Sequence, residues 1–364
     1  MELSLCMIVR NEETVLSRCL DSVKRAMDEI VVVDTGSTDR TAEIAAAYTP
    51  LVFSFPWVDD FAAARNFAFS KASKPYLMWL DADDVMAPAA VDALLALKEK
   101  LAPGVDMVMM PYHVAFDHAG NPVLTYERER VVRRGAGFQW VGAIHEVIPP
   151  AGNILHADIP VLHKKEGPGD PDRNLRIFEK MIARGGPLSP REEFYFAREL
   201  KYHGRFPEAA SRLERFLDTG LGWLENTLSA CRDLAECYLA MGKKREALTA
   251  LLNSFRYDVP RAETCCEIGK YFFDQEQYAV AAFWYALAAS GNLPVPAGGF
   301  VQPDCYGYIP YMQLCVCHHR MGDTEKAAAY NELAGKIKPE DSGYLYNKAF
   351  FASLLQDTEG KTHL

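Results

Sequence analysis

The sequence predicts an α/β domain on a mostly parallel, Rossmann-like sheet, followed by an all-α array of helical repeats. Three observations predict it. Short β-branched runs alternate with helical patterns through the first half of the chain. One apolar run, Tyr76 to Leu80, ends abruptly in Asp81, Asp83 and Asp84, and the carboxyl ends of strands are where open α/β sheets place ligands. Past residue 190 strand-like runs vanish and a turn-and-helix pattern recurs instead.

The elements follow in order. Leu3 to Val9 is an almost continuous apolar run, hence a buried strand, and Val15, Leu16, Leu20 and Val23 share one side of the helix that follows. Glu29 to Asp34 is a second strand; Gly36 permits a tight turn, and Ser37, Thr38 or Asp39 caps a helix over Thr41 to Tyr48. A third strand, Leu51 to Phe55, leads into the helical stretch Asp59 to Ala68 and then into the strand that ends in acids. Three loops therefore meet in one crevice: Val9 to Glu12 (with Asn11), Asp34 to Thr38 (with Gly36), and Asp81 to Asp84 (with Ala82).

Residues i and i+2 of an extended segment point the same way, so Asp81 and Asp83 are placed to hold one hard cation, Mn²⁺ or Mg²⁺, with water and substrate phosphates completing its shell. The competing reading is that Asp83 and Asp84 cap the helix beginning at Pro88. Neither a Gly-x-Gly-x-x-Gly after the first strand nor a Gly-Lys-Ser/Thr loop is present, which removes the usual dinucleotide and P-loop sites.

Four ordered stretches, Cys6 to Glu12, Val31 to Asp39, Asp60 to Asn66 and Trp79 to Asp84, together resemble the family 2 glycosyltransferases of the GT-A fold. The similarity is greatest to a branch containing lipopolysaccharide-core glucosyltransferases and the peptide S-glycosyltransferases of glycocins. It spans about residues 3 to 165. The resemblance implies that Asp34 contacts the nucleotide base, that Arg65 approaches the phosphates, and that Asp81 and Asp83 hold a divalent cation. Thr35 stands where many members have a second aspartate, and Arg10 where many have a base-stacking aromatic. The competing reading for Asp34 is closure of the Ser37-Thr38 turn, and Asp59 or Asp60 is an alternative partner for Arg65.

Asp106 to Met110 resumes the sheet, and Asp117 to Asn121 reads as a hairpin turn. Arg128, Arg130, Arg133 and Arg134, with Glu127 and Glu129, mark either a strand end lining an anionic substrate or a solvated edge strand. Gly137 to Glu146 reads as a strand or bent strand, with Gly142 at a turn and His145-Glu146 at its end. An inverting transfer needs a base for the acceptor's proton; Glu146 is the candidate, with His145 as its orienter or an acceptor contact, a placement the resemblance strengthens. The competing reading is a salt bridge from Glu146 to an arginine of the 128–134 strand. His163, after the run Ile159 to Leu162, is a candidate metal or diphosphate contact, its imidazole suiting Mn²⁺ better than Mg²⁺.

The second half repeats. Gly204 to Ala209, Gly242 to Ala247, Glu276 to Ala281 and Gly322 to Ala327 are versions of one turn and helix start, with their alanines 38, 34 and 46 residues apart. The tetratricopeptide period is about 34, and an insertion, Gly291 to Gly299, falls in the longest gap. The expected organisation is a catalytic domain at 1–168, a linking helix and breaker at 169–190, repeats at 191–350 and a tail at 351–364. The repeats suit a second copy of the chain, a peptide acceptor, or bracing of the catalytic domain.

The formal charge of −10 argues against a broad nucleic-acid surface, and no run of 18 apolar residues predicts a membrane span. The start lacks a signal-peptide pattern, so cytoplasm is the default expectation. Nine cysteines without a Cys-x-x-Cys read as reduced, buried thiols. The combined reading is a metal-dependent, inverting glycosyltransferase that uses a nucleotide-diphosphate sugar, a UDP-sugar first, on a peptide or saccharide acceptor. The alternatives are a nucleotidyltransferase on a related fold and a repeat scaffold with a degenerate transferase domain.

Overall fold

In a computed structural model, residues 1–118, 120–167, 169–291 and 301–361 are described, with side chains to 354. They divide into two compact units, with the boundary between Tyr195 and Phe196. The insertion expected between Gly291 and Gly299 lies, beyond Gly291, outside the described residues.

The first unit is a nine-stranded, mostly parallel sheet. Strands β1 (Leu3–Val9), β2 (Glu29–Asp34), β3 (Val52–Ser54) and β4 (Tyr76–Trp79) run parallel in the order β3-β2-β1-β4. Helices α1 (Leu16–Val23), α2 (Thr41–Tyr48) and α3 (Phe61–Lys71) make the crossovers. A short β5 (Asp84–Val85) precedes α4 (Pro88–Lys100). The sheet continues as β7 (Pro122–Arg133), β6 (Met107–Phe116), β9 (Val161–His163) and β5, with β8 (Ile154–His156) pairing off β6. Leu3, Leu5, Val31, Val32, Val33 and Met78 are fully buried, because strands covered on both faces leave no side for water.

The arginine-bearing strand β7 lies between β4 and β6, so it is an interior strand and no solvated edge. Gly137 to Glu146 does not form a strand beyond a single bridge from Val141 to Val147. Its aromatics are buried by packing: Trp140 meets Trp79 edge-on at 4.9 Å, which satisfies the same apolar pattern without a ladder.

The helix α5 (Arg173–Ala183) closes the first unit's sequence before α6 (Pro190–Tyr202). The second unit consists of helix pairs: the end of α6 with α7 (Phe206–Thr219), α8 (Leu224–Ala240) with α9 (Lys244–Asn253), α10 (Ala262–Phe273) with α11 (Tyr278–Ser290), and α12 (Tyr308–Arg320) with α13 (Thr324–Ile337). Ala209, Ala247, Ala281 and Ala327 are all fully buried, as close helix approach at each repeat requires. The turn inside each pair needs one left-handed residue: Gly204, Gly242 and Gly322 supply it at φ 71, 75 and 85°, and Glu276 takes the same role at φ 60°. The stretch expected as a tail from 351 instead continues α14 (Ser342–Lys361); residues 362–364 lie outside the described ones.

Among the described residues no helix is long and apolar enough to cross a membrane. All nine cysteines are buried and unpaired.

Candidate active site

The loops after β1 and β2 are tied to each other. Asn11, itself left-handed at φ 55°, accepts the Thr38 N–H at 2.8 Å on Oδ1, while its own N–H donates to Ser37 Oγ. Glu12 N–H donates to Thr41 Oγ1 at 2.7 Å. The Asp34 carboxylate accepts from both the N–H and the hydroxyl of Ser37, so the turn-closing role weighed for it is the one seen. Gly36 sits at φ 103°, a conformation that a side chain would strain. Thr35, in place of a second acid, is buried and donates its hydroxyl to Val9 O, joining the ends of the two strands; Arg10 is exposed.

At the end of β4 the acids do not stay extended. Asp84 N–H bonds back to Asp81 O at 3.0 Å, making residues 81–84 a turn, so the two carboxylates of the Asp-x-Asp pair diverge. Asp81 turns to Arg65, whose Nη2 it meets at 2.6 Å. Asp83 turns the other way, 3.4 Å from His163 Nδ1. His163 is brought there by register, since β5 pairs Asp84 opposite His163 in β9. Asp83, Asp84 and His163 offer three ligand atoms within 4.8 Å of one another, the group of this kind found among the described residues.

Arg65 is buried, and its partners are neither Asp59 nor Asp60. Asp60 caps α3 through the Ala63 N–H, and Asp59 pairs with Lys180. Arg65 instead bridges Asp81 and Glu146, Nε meeting Glu146 Oε1 at 2.6 Å. Its Nη1 is buried without a hydrogen-bond partner among the described residues. The guanidinium lies 4.9 Å from the Trp79 ring centre and 4.8 Å from that of Trp140. Desolvation works against its charge, but the two carboxylates outweigh it and push the pKa further up.

Glu146 therefore pairs with Arg65 and not with the arginines of β7, although Arg128 donates to its backbone carbonyl. The loop bearing it is held at several points. Asn66 exchanges two 2.9 Å bonds with the backbone of Trp140, Gly142 turns the chain at φ 95°, and His145 is left-handed at φ 51°. The His145 ring stacks on Tyr195 at 4.1 Å and its carbonyl accepts from Arg191, both residues lying in the first unit. The remaining arginines of residues 128–134 do not face an open anion site. Arg130 pairs with Asp84, Arg133 with Asp106, and Arg134 bonds Lys74 O.

The electrostatics mark the same place. Glu12 is pushed up to about 7, first by burial and then by the nearby charges of Asp83, Asp81 and Asp39. Burial opposes protonation of His163, yet hydrogen bonds and attraction to Asp83 and Asp84 raise it to about 10. Asp81 is desolvated, but Arg65 outweighs that and lowers it to about 2. Carboxylates gathered beside an imidazole are a donor set for a divalent cation. Asp83 and His163 fit such an ion; Asp84 does so less well, because Arg130, Tyr112 and the Asp81 N–H already engage its two oxygens.

Four residues that hold this site escaped the sequence reading in that role: Asn66, Tyr112, Arg130 and Arg191. Asn66 carried a signal in standing beside Arg65 at the end of the stretch Asp60 to Asn66, and Arg130 in the arginine cluster of residues 128–134.

A crevice of this make-up, at the carboxyl ends of parallel strands with paired acids and a buried arginine, belongs to an α/β domain of GT-A type. Residues 4–151 match the model of glycosyl transferase family 2, and the first unit carries a domain of that family. A TPR repeat-containing protein of Synechococcus elongatus is 49% identical over 83 residues, covering 23% of this chain and 21% of that protein. The lipopolysaccharide core biosynthesis glycosyltransferase LpsC of Rhizobium meliloti is 33% identical over 164 residues, 43% of this chain and 60% of its own length. The SPbeta prophage-derived glycosyltransferase SunS of Bacillus subtilis is 27% identical over 224 residues, 58% of this chain and 52% of that one. The chain thus spans between about a fifth and three fifths of these curated relatives.

Proposed function

We propose that the protein is an inverting glycosyltransferase that moves a sugar from a nucleotide-diphosphate sugar, a UDP-sugar first, to a peptide or saccharide acceptor, with Mn²⁺ or Mg²⁺ at Asp83 and His163. The observation that carries this is the meeting of the Asn11 and Asp34 loops, Arg65, and the Asp83 and His163 pair at the ends of β1, β2 and β4. The family match and the two glycosyltransferase relatives support the reaction class.

In this reading the donor's base lies against the loops at Val9, Asn11, Glu12, Asp34 and Gly36. Its diphosphate passes Asp81, Ala82 and Arg65, whose spare Nη1 is a donor for phosphate oxygen. The cation, when bound, supplies Lewis-acid neutralisation of the leaving diphosphate's charge. The acceptor's nucleophile bonds the anomeric carbon as the bond from that carbon to the diphosphate breaks, releasing nucleoside diphosphate. Glu146 takes the acceptor's proton: Arg65 fixes Oε1, and Oε2 has no partner among the described residues. The left-handed His145, pinned by Arg191 and Tyr195, orients that loop.

Calorimetric titration with UDP, GDP and TDP, with and without Mn²⁺, tests the donor site. We expect one nucleotide to bind with Mn²⁺ and to lose most of its affinity without it or in Asp83→Ala. No binding of any nucleotide under either condition would favour the scaffold alternative.

A further inference from the structure

Beneath Asp83 lies a fully buried arginine whose presence stability does not explain. Arg130 and Asp84 both have no exposed side-chain area and meet at 3.0 Å, while Nε and Nη2 of Arg130 find no hydrogen-bond partner among the described residues. A buried ion pair with unsatisfied donors is seldom more stabilising than apolar residues of the same volume. It does fix geometry. Asp84 Oδ2 accepts from Arg130 and from the Asp81 N–H, and Oδ1 accepts the Tyr112 hydroxyl at 2.8 Å. The Tyr112 oxygen is in turn 2.9 Å from His163 Nδ1, nearer than the Asp83 and Asp84 oxygens that face the same nitrogen at 3.4 and 3.5 Å.

The hydroxyl has one proton. A carboxylate already paired with a guanidinium only accepts, so that proton goes to Asp84, and the tyrosine oxygen is left to accept from Nδ1–H. The ring of Tyr112 is itself wedged edge-on between Tyr126 and His163, with the Arg130 guanidinium 4.3 Å from its centre. The hydroxyl therefore has little freedom to turn elsewhere.

We propose that Arg130, Asp84, Tyr112 and His163 form a positioning relay that holds the proton of His163 on Nδ1, so that Nε2 is the nitrogen left to ligate a divalent cation. The proposal rests on the reading of Asp83 and His163 as cation ligands, and it assigns Asp84 to the relay and not to the ion. A ligating histidine usually donates its other N–H to a carboxylate; here a tyrosine hydroxyl stands between the two.

The test is Mn²⁺ affinity of the full chain without donor or acceptor, read from the electron paramagnetic resonance of free Mn²⁺. Tyr112→Phe keeps the ring and removes the hydroxyl; its affinity should fall by about 10- to 100-fold, with the metal-free melting temperature reported alongside. In a His163→Ala background the same change should cost nothing further, because the tyrosine acts through the histidine. Unchanged or tighter binding by Tyr112→Phe overturns the relay, since tyrosine would then be competing for a ligating Nδ1. An equal loss in both backgrounds also overturns it, as that is general support of the fold. A second measurement needs no variant: ¹⁵N NMR of the Zn²⁺-loaded wild type should place the His163 ring proton on Nδ1, and a proton on Nε2 refutes the proposal. Failure of the wild type to bind any metal sinks the cation reading and the relay together, whereas binding that ignores Tyr112 sinks the relay alone.

Discussion

Replacing Arg130 by methionine should destabilise the first unit by about 4 kcal/mol, within the roughly 3–5 kcal/mol seen when one partner of a buried ion pair is removed. The magnitude follows from where the pair sits. At 3.0 Å and an effective dielectric of about 20, the attraction between Arg130 and Asp84 is about 5.5 kcal/mol. Methionine refills most of the volume over the Trp79 ring, 3.9 Å from the guanidinium, so packing is largely kept. What remains is Asp84, fully buried without its cation. Asp84→Asn strands the arginine in the same way and should cost a similar amount. The double variant should lose less than the sum by about 2 kcal/mol, since neither charge is then left alone. Urea denaturation followed by tryptophan fluorescence, to which Trp57, Trp79 and Trp140 of this unit contribute, measures all three. A loss below about 1 kcal/mol for Arg130→Met, or strict additivity in the double variant, would refute a charge pair that matters.

Three further outcomes are expected. Glu276 occupies the left-handed turn position that glycine fills in the other three repeats; Glu276→Gly should raise stability by about 1 kcal/mol, visible as a rise in melting temperature of the repeat unit, and a fall would contradict a strained turn. Burial lowers the pKa of His113, which shares a 2.9 Å bond with Thr125, below its ordinary value of 6.5. The unfolded chain therefore binds the extra proton first. The wild type should lose stability relative to His113→Gln as pH falls below about 6.5, with a constant difference above it; a widening difference above pH 7 would count against this. Asn66→Ala removes both ties to Trp140, leaving that loop's hold on Glu146 weaker; we expect kcat for sugar transfer to drop by about tenfold or more with donor affinity nearly unchanged. Equal kinetics would show the ties to be incidental.

Much of the first unit was legible because its signals are local. The runs Leu3–Val9 and Glu29–Asp34 and the helix Thr41–Tyr48 occupy the bounds that apolar continuity and capping residues indicated. The repeat turns were equally readable, since glycine or a tolerated substitute is needed at each left-handed position. Other features depend on contacts far apart in sequence. The turn at 81–84 that sends Asp81 to Arg65 and Asp83 to His163 arises because Asp84 is pulled inward by Arg130, 46 residues away, a partner no spacing rule reveals. The loop around Trp140 looked like a strand because buried aromatics and β-branched residues satisfy either a ladder or a packed loop. Tyr112 and Arg130 sit in mid-strand, where their types alone suggest a surface or a core.

The most direct test of the central claim is release of nucleoside diphosphate from a panel of UDP-, GDP- and TDP-sugars, with Mn²⁺ or with chelator, comparing wild type with Asp83→Ala and His163→Ala. The account predicts slow hydrolysis of one donor that requires the metal and is lost in both variants. Release that persists in chelator and in both variants, or pyrophosphate in place of nucleoside diphosphate, would contradict it.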